Sequence, residues 1–117
     1  MEPTNPTSDR SLSMADLPRP FRRFLQRFPE VERAHMDLSL TVNRQGPLVE
    51  RDRRLVRLGI AVGQQSRGAV KSHARRAVEE GITAEELRHV ALLALPTAGF
   101  PAMVAALEWI EEVLEEG

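Results

Sequence analysis

The sequence predicts an all-α protein of about five to six helices built for oligomer assembly, and three observations predict it. Apolar residues recur at three- and four-residue spacing along most of the chain, the mark of one buried helix face. No segment shows the strict apolar–polar alternation of a half-buried strand. Helix start and stop signals fall between the apolar stripes. With 117 residues the chain is long enough for one domain. A chain of this size buries about two thirds of its unfolded surface, so burial between subunits would add stability.

Residues 1–13 are rich in Pro, Thr, Ser and Asn and predict a mobile polar tail, leaving 14–117 as a single helical domain. Phe21, Phe24, Leu25 and Phe28 form the first apolar stripe. Pro29 ends that segment or opens the next. Val31, Ala34, Leu38 and Val42 form the second stripe, closed by the Gly46-Pro47 breaker. The third helix spans about 48–63. Its first half is charged, and its second half is apolar except for Arg57, which predicts burial on most sides. Within it, Glu50 and Arg54 stand four residues apart with the acid first, the favourable order for a pair.

The fourth helix spans about 66–81, with Ala69, Val70, His73, Ala74, Ala77 and Val78 on its apolar side and Gly81 as a left-handed stop. Thr83 and Glu86 make a capping box for the fifth helix, whose stripe is Leu87, Val90, Ala91 and Ala94. Pro96 and Gly99 then interrupt, and Pro101 fits the first turn of the last helix. That helix is apolar on two faces, Phe100, Val104 and Leu107 on one and Ala102, Ala106, Trp109 and Val113 on the other. A small domain rarely covers both, which predicts a subunit contact.

Composition excludes several classes of function. Sixteen basic residues stand against seventeen acidic ones, without the basic excess of a dedicated nucleic-acid binder. Aromatic residues are 4% of the chain and Tyr is absent, so a base-stacking platform is not expected. No apolar stretch approaches the ~20 residues of a membrane span, and the N-terminus has no apolar signal core. The expected location is the cytoplasm. With no cysteine in the chain there is no disulfide, thiolate nucleophile or zinc–thiolate site. No two histidines have metal-ligand spacing, and no metal is expected.

Charge is uneven: residues 51–76 hold eight bases and one acid, and residues 77–117 hold nine acids and one base. Neighbouring helices could satisfy each other, or the bases could line a site for a small anionic metabolite near the start of the fourth helix. His73 shares a helix face with Ser66 and Ala69 and could move a proton in a partly apolar cleft. It could equally be a buried histidine bonded to a backbone carbonyl. Ser66 lies two turns, about 10 Å, from His73, too far for a simple nucleophile–base dyad, and it suits an N-cap. Arg54, Arg67 and Lys71 could hold a substrate carboxylate or be solvated charges. His89, near Glu85 and Glu86, suits an exposed pair; His35 has no sequence-local partner.

Several runs resemble the carboxymuconolactone decarboxylase family, which also contains the alkylhydroperoxidase D proteins. They are Leu55 to Gly63, Gly68 to Ala77 with His73 inside, Glu80-Gly81, Glu85-Glu86, Val90 and Gly99-Phe100-Pro101-Ala102. The resemblance covers about residues 20–115. It implies an alkylhydroperoxidase D-like helical fold in homotrimers or homohexamers, with a small pocket at a subunit interface. Family members include a lyase that decarboxylates a lactone acid without a cofactor. Others are thiol peroxidases with a Cys-x-x-Cys pair and a histidine four residues on. By position the motif histidine is His73, while the two cysteines fall on Ser66 and Ala69 and the relay acid on Arg54. Ser and Ala cannot exchange disulfides, so peroxiredoxin activity would come to this chain by family transfer only. Glu50, one turn before Arg54, is a candidate to replace the lost carboxylate. The resemblance thus implies a cofactor-free lyase of the decarboxylase type acting on a small carboxylate or lactone, with His73 as acid/base. The alternative is an oligomer that kept the fold and binds a small ligand without catalysis.

Overall fold

The structure, a computed structural model, describes residues 19–117. The expected tail, 1–13, lies outside the described residues. Among the described residues all regular structure is helical, and they fall into two compact units, 19–47 and 48–117.

The first unit is a helix pair, α1 (Arg19–Arg27) and α2 (Pro29–Asn43). Pro29 sits in the first turn of α2, where its missing N–H leaves no bond unmade. The backbone runs nearly unbroken through Phe28: its N–H donates to the Phe24 carbonyl at 2.8 Å, and its own carbonyl accepts from Glu32 at 3.0 Å. The rings of Phe24 and Phe28 stand 6.0 Å apart in a tilted pair. Both stripes read from the sequence are present, yet neither helix holds a buried residue. Phe21, Phe28, Val31, Leu38 and Val42 stay about half exposed.

The second unit contains α3 (Glu50–Gly63), α4 (Arg67–Glu79), α5 (Ala84–Leu93), the single turn α6 (Leu95–Ala98) and α7 (Phe100–Glu116). Helix α4 packs between α3 and α7, and α5 packs on α7 and α3. The core joins Leu58 and Val62 of α3, Val70, Ala74 and Ala77 of α4, Leu87 and Ala91 of α5, and Ala106, Ile110 and Val113 of α7. Alanines dominate the α4 contribution, which lets neighbouring helices approach closely.

Local chemistry bounds α4, α5 and α7 as the sequence reads. Ser66 caps α4, its Oγ accepting from the Ala69 N–H at 3.3 Å. Gly81 takes φ +89°, and the Ile82 N–H returns to the Ala77 carbonyl at 2.9 Å, which buries Ile82 under the helix end. Thr83 and Glu86 form the full capping box. Gly99, at φ +102°, turns the chain into α7, with Pro101 in its first turn.

Two expectations change. The second half of α3 is not covered on most sides: Leu58, Ala61 and Val62 are buried, but Val56 and Ile60 are 50% and 55% exposed. The neighbouring helices cover a single side of α3. On α7, by contrast, the reading of two apolar faces holds: Ala102, Ala106 and Val113 are buried while Phe100 is 63% exposed. Glu50 and Arg54 do not pair; Arg54 turns to Glu80 at the far end of α4.

Candidate functional site

The uneven charge resolves largely into pairs between helices. Arg51 of α3 bonds Glu86 of α5, Lys71 and Arg67 of α4 share Glu112 of α7, and Arg75 of α4 bonds Glu116 of α7 at 2.9 Å. One further pair lies within the acidic segment itself, where Arg88 of α5 bonds Glu111 of α7 at 2.6 Å. The Thr83 backbone N–H and the Arg51 guanidinium hold Glu86 well below the usual carboxylate range, at about 2. His89, expected to pair with Glu85 or Glu86, makes no ion pair among the described residues, and Glu86 is held instead by Thr83 and Arg51.

One cluster differs from these surface pairs. Arg54, in the second turn of α3, is buried to 6% exposure, the one charged side chain among the described buried residues. A buried guanidinium must have its donors satisfied. Glu80, at the C-terminal cap of α4, meets Arg54 Nε with one carboxylate oxygen at 3.0 Å and Nη2 with the other at 2.9 Å. A carboxylate at a helix C-terminus opposes the dipole, and this two-pronged contact offsets that penalty. The third prong, Nη1, lies 2.8 Å from Nδ1 of His73. His73 sits two turns back on α4, so the α4 face that carries Ser66 and His73 also carries Glu80 at the next seven-residue step.

The His73 ring is only partly exposed, and its pKa falls from 6.5 to about 4. Burial is the largest cause, because it disfavours the charged ring. The positive charges of Arg54, Arg76 and Arg57 act in the same direction. The ring is therefore uncharged at neutral pH, in a field that favours anions. Arg57, one turn beyond Arg54 on α3, forms no ion pair among the described residues.

The predicted site residues thus divide. Arg54 and His73 meet. Lys71 and Arg67 do not join them: residues two apart on a helix face different ways, and both cations reach toward α7. Ser66 spends its hydroxyl on the cap. Glu50, the expected substitute carboxylate, is exposed and outside the cluster. Glu80 supplies the carboxylate, and sequence reasoning missed both it and Arg57. The available signal was the seven-residue series Ser66, His73, Glu80, which stopped one step short.

A separate groove of about 550 Å³ opens between α3 and α5, lined by Leu55, Val56, Gly59, Val90 and Leu93, with Glu86 and His89 among its polar residues. His73 does not line it. Among the described residues no group of acids and histidines could hold a metal ion, and no helix is long and apolar enough to cross a membrane.

The profile of the carboxymuconolactone decarboxylase family matches residues 29–112. No curated protein and no solved structure matches the chain.

Proposed function

Because the chain belongs to the carboxymuconolactone decarboxylase family, we propose that it is a cofactor-free lyase of the decarboxylase type, acting on a small carboxylate or lactone at His73. In such a reaction the bond from carbon to the carboxylate breaks and carbon dioxide leaves. The electron pair spreads onto a carbonyl oxygen of the remaining framework, and a proton takes the place of carbon dioxide. The protein must hold an anion and stabilise a growing negative charge. The observation that carries the proposal is an uncharged imidazole bonded to the Arg54 guanidinium and lying in the positive field of Arg57 and Arg76. His73 serves as the acid/base group at the charged oxygen, and Arg57 takes the substrate carboxylate. Lys71 and Arg67, two cations on one carboxylate, offer a second anion site from the α7 side of α4.

Family membership does not bring thiol peroxidase chemistry with it, since this chain has no cysteine to run it. The family match runs from the first unit into the second, which supports reading 14–117 as one domain. Self-association as a homotrimer or homohexamer belongs to the same proposal. It is supported by the exposed apolar residues of α1 and α2 and by Phe100 and Val104 on α7.

The test is incubation with carboxymuconolactone and related small lactone acids while carbon dioxide release is followed. Turnover is expected, falling about 10²–10⁴-fold in His73→Gln, while Arg57→Gln raises KM by about tenfold or more. An unaltered rate in His73→Gln removes His73 from the chemistry. A second reading, a small-ligand binder without catalysis, is favoured by one observation: Arg54, Lys71 and Arg67 are already engaged by carboxylates of the chain itself. Thermal stabilisation by lactone acids without product over long incubation would select it.

A further inference from the structure

We propose that Glu80 is a positioning residue for His73, acting through Arg54 to fix the ring in its Nε2–H tautomer and present Nε2–H to the ligand. A guanidinium has five donors and no acceptor and does not lose its proton in proteins. Arg54 Nη1, 2.8 Å from His73 Nδ1, can only donate. Nδ1 must therefore accept with its lone pair, so the ring proton resides on Nε2. Protonating Nδ1 would set two donors against each other, so at neutral pH the cluster disfavours that state.

The guanidinium could aim elsewhere by rotation of its long side chain, and Glu80 prevents this. Its two oxygens grip Nε and Nη2, which fixes the plane of the guanidinium and the direction of Nη1. The grip is itself shielded, with Arg54 and Glu80 side chains 7% and 21% exposed. The charged groups acting on the ring are Arg54 and Arg57 from α3 and Arg76 from α4 itself. Among the described residues the bond to Arg54 is the hydrogen bond of this ring, which leaves Nε2 as the group that meets a ligand. A cation donating to Nδ1 draws electron density from the ring and makes Nε2–H a stronger donor. The site then offers a neutral, polarised N–H to an oxygen that gains negative charge, as an electrophile requires.

This inference rests on the reading of His73 as the substrate-facing group, but its test reads the ring in the ligand-free protein. Absence of turnover therefore leaves the tautomer assignment standing, and a wrong tautomer leaves the lyase reading standing. The experiment is long-range ¹H–¹⁵N NMR of the full chain at neutral pH, with the His73 signals assigned by their loss in His73→Gln. The expected wild-type spectrum shows an unprotonated, acceptor-type Nδ1 and a protonated Nε2, in one tautomer. In Glu80→Gln, which keeps a single acceptor oxygen, the two nitrogens should shift toward averaged values, with one tautomer giving way to a mixture. Glu80→Asp, which keeps both oxygens, should restore part of the wild-type pattern. A wild-type ring with Nδ1–H, or a charged ring, overturns the proposal without any variant. A folded Glu80→Gln protein whose His73 signals match wild type removes Glu80 from the role.

Discussion

The two units of this chain carry similar sequence signals and reach different ends. Helices α1 and α2 show apolar stripes as regular as those of α4 and α5, with larger side chains. In 48–117 the stripes converge into a core with Leu58, Leu87 and Ile110 fully buried. In 19–47 no residue is buried, although Phe21, Phe24 and Phe28 are aromatic. An apolar stripe therefore states only that a face requires cover, and the packing partner decides whether that face contributes stability within the chain. Fully burying a side chain of this kind is worth about 1.5–3 kcal/mol. Taken by itself, the first unit leaves that contribution unmade, and the proposed self-association would supply it.

Substitutions that cut each region should break or confirm this contrast. Leu58→Ala removes a fully buried side chain and should cost about 2–5 kcal/mol of unfolding free energy in urea titration. Phe24→Ala in dilute protein should cost less than about 1 kcal/mol. It should weaken self-association instead, measured by sedimentation at rising concentration. Equal losses in the two variants would mean that the first unit is cored within one chain.

Next in size is the buried cluster. Arg54→Ala leaves the Glu80 carboxylate without its partner and opens a cavity, at a cost of about 3 kcal/mol. It also frees His73 Nδ1 and removes a neighbouring positive charge, so the ring pKa should rise from about 4 toward 6.5.

A smaller effect of the same cluster is pH dependence. The folded pKa of His73 lies below its unfolded value, so between pH 6.5 and 4 the unfolded chain binds a proton that the folded chain does not. Stability is then full above pH 6.5 and falls as the pH drops toward 4, by up to about 3 kcal/mol. Glu86 adds a loss of the same direction at lower pH, between 4.5 and about 2, as Thr83 and Arg51 lose their carboxylate. Chemical denaturation at a series of pH values reads both, and His73→Gln should remove the upper phase alone. The smallest effect is expected at the periphery. Arg75→Gln breaks a largely exposed pair with Glu116 and should change stability by no more than about 0.5 kcal/mol, less at high salt.

The same contrast explains what was legible in the sequence. Punctuation was readable because it is local: Ser66, Gly81, Thr83 with Glu86, and Pro101 each act within one turn of the chain. The helical class followed from periodicity for the same reason. Cover was not readable, because Val56 and Ile60 carry the same hydrophobicity as Leu58 and Val62, and the position of neighbouring helices alone separates them. The site was readable in part. His73 stood out as a polar residue in an apolar stripe, and Arg54 as the position where the resemblance implies an acid in the thiol peroxidases. Their direct contact depends on how α3 crosses α4, which no spacing encodes. The pairing of the basic middle with the acidic end was visible as a net imbalance, but the partners were not. Glu86 shows why: a cap and a cross-helix pair compete for one carboxylate, and here it serves both.

At the centre of the site is an imidazole held uncharged by burial and by Arg54. An NMR titration of the His73 ring in the intact protein tests that directly. The ring should stay neutral through the physiological range and take its proton only near pH 4. A ring that titrates near 6.5, as a solvated histidine does, would contradict it and would place Arg54 and Glu80 outside the site.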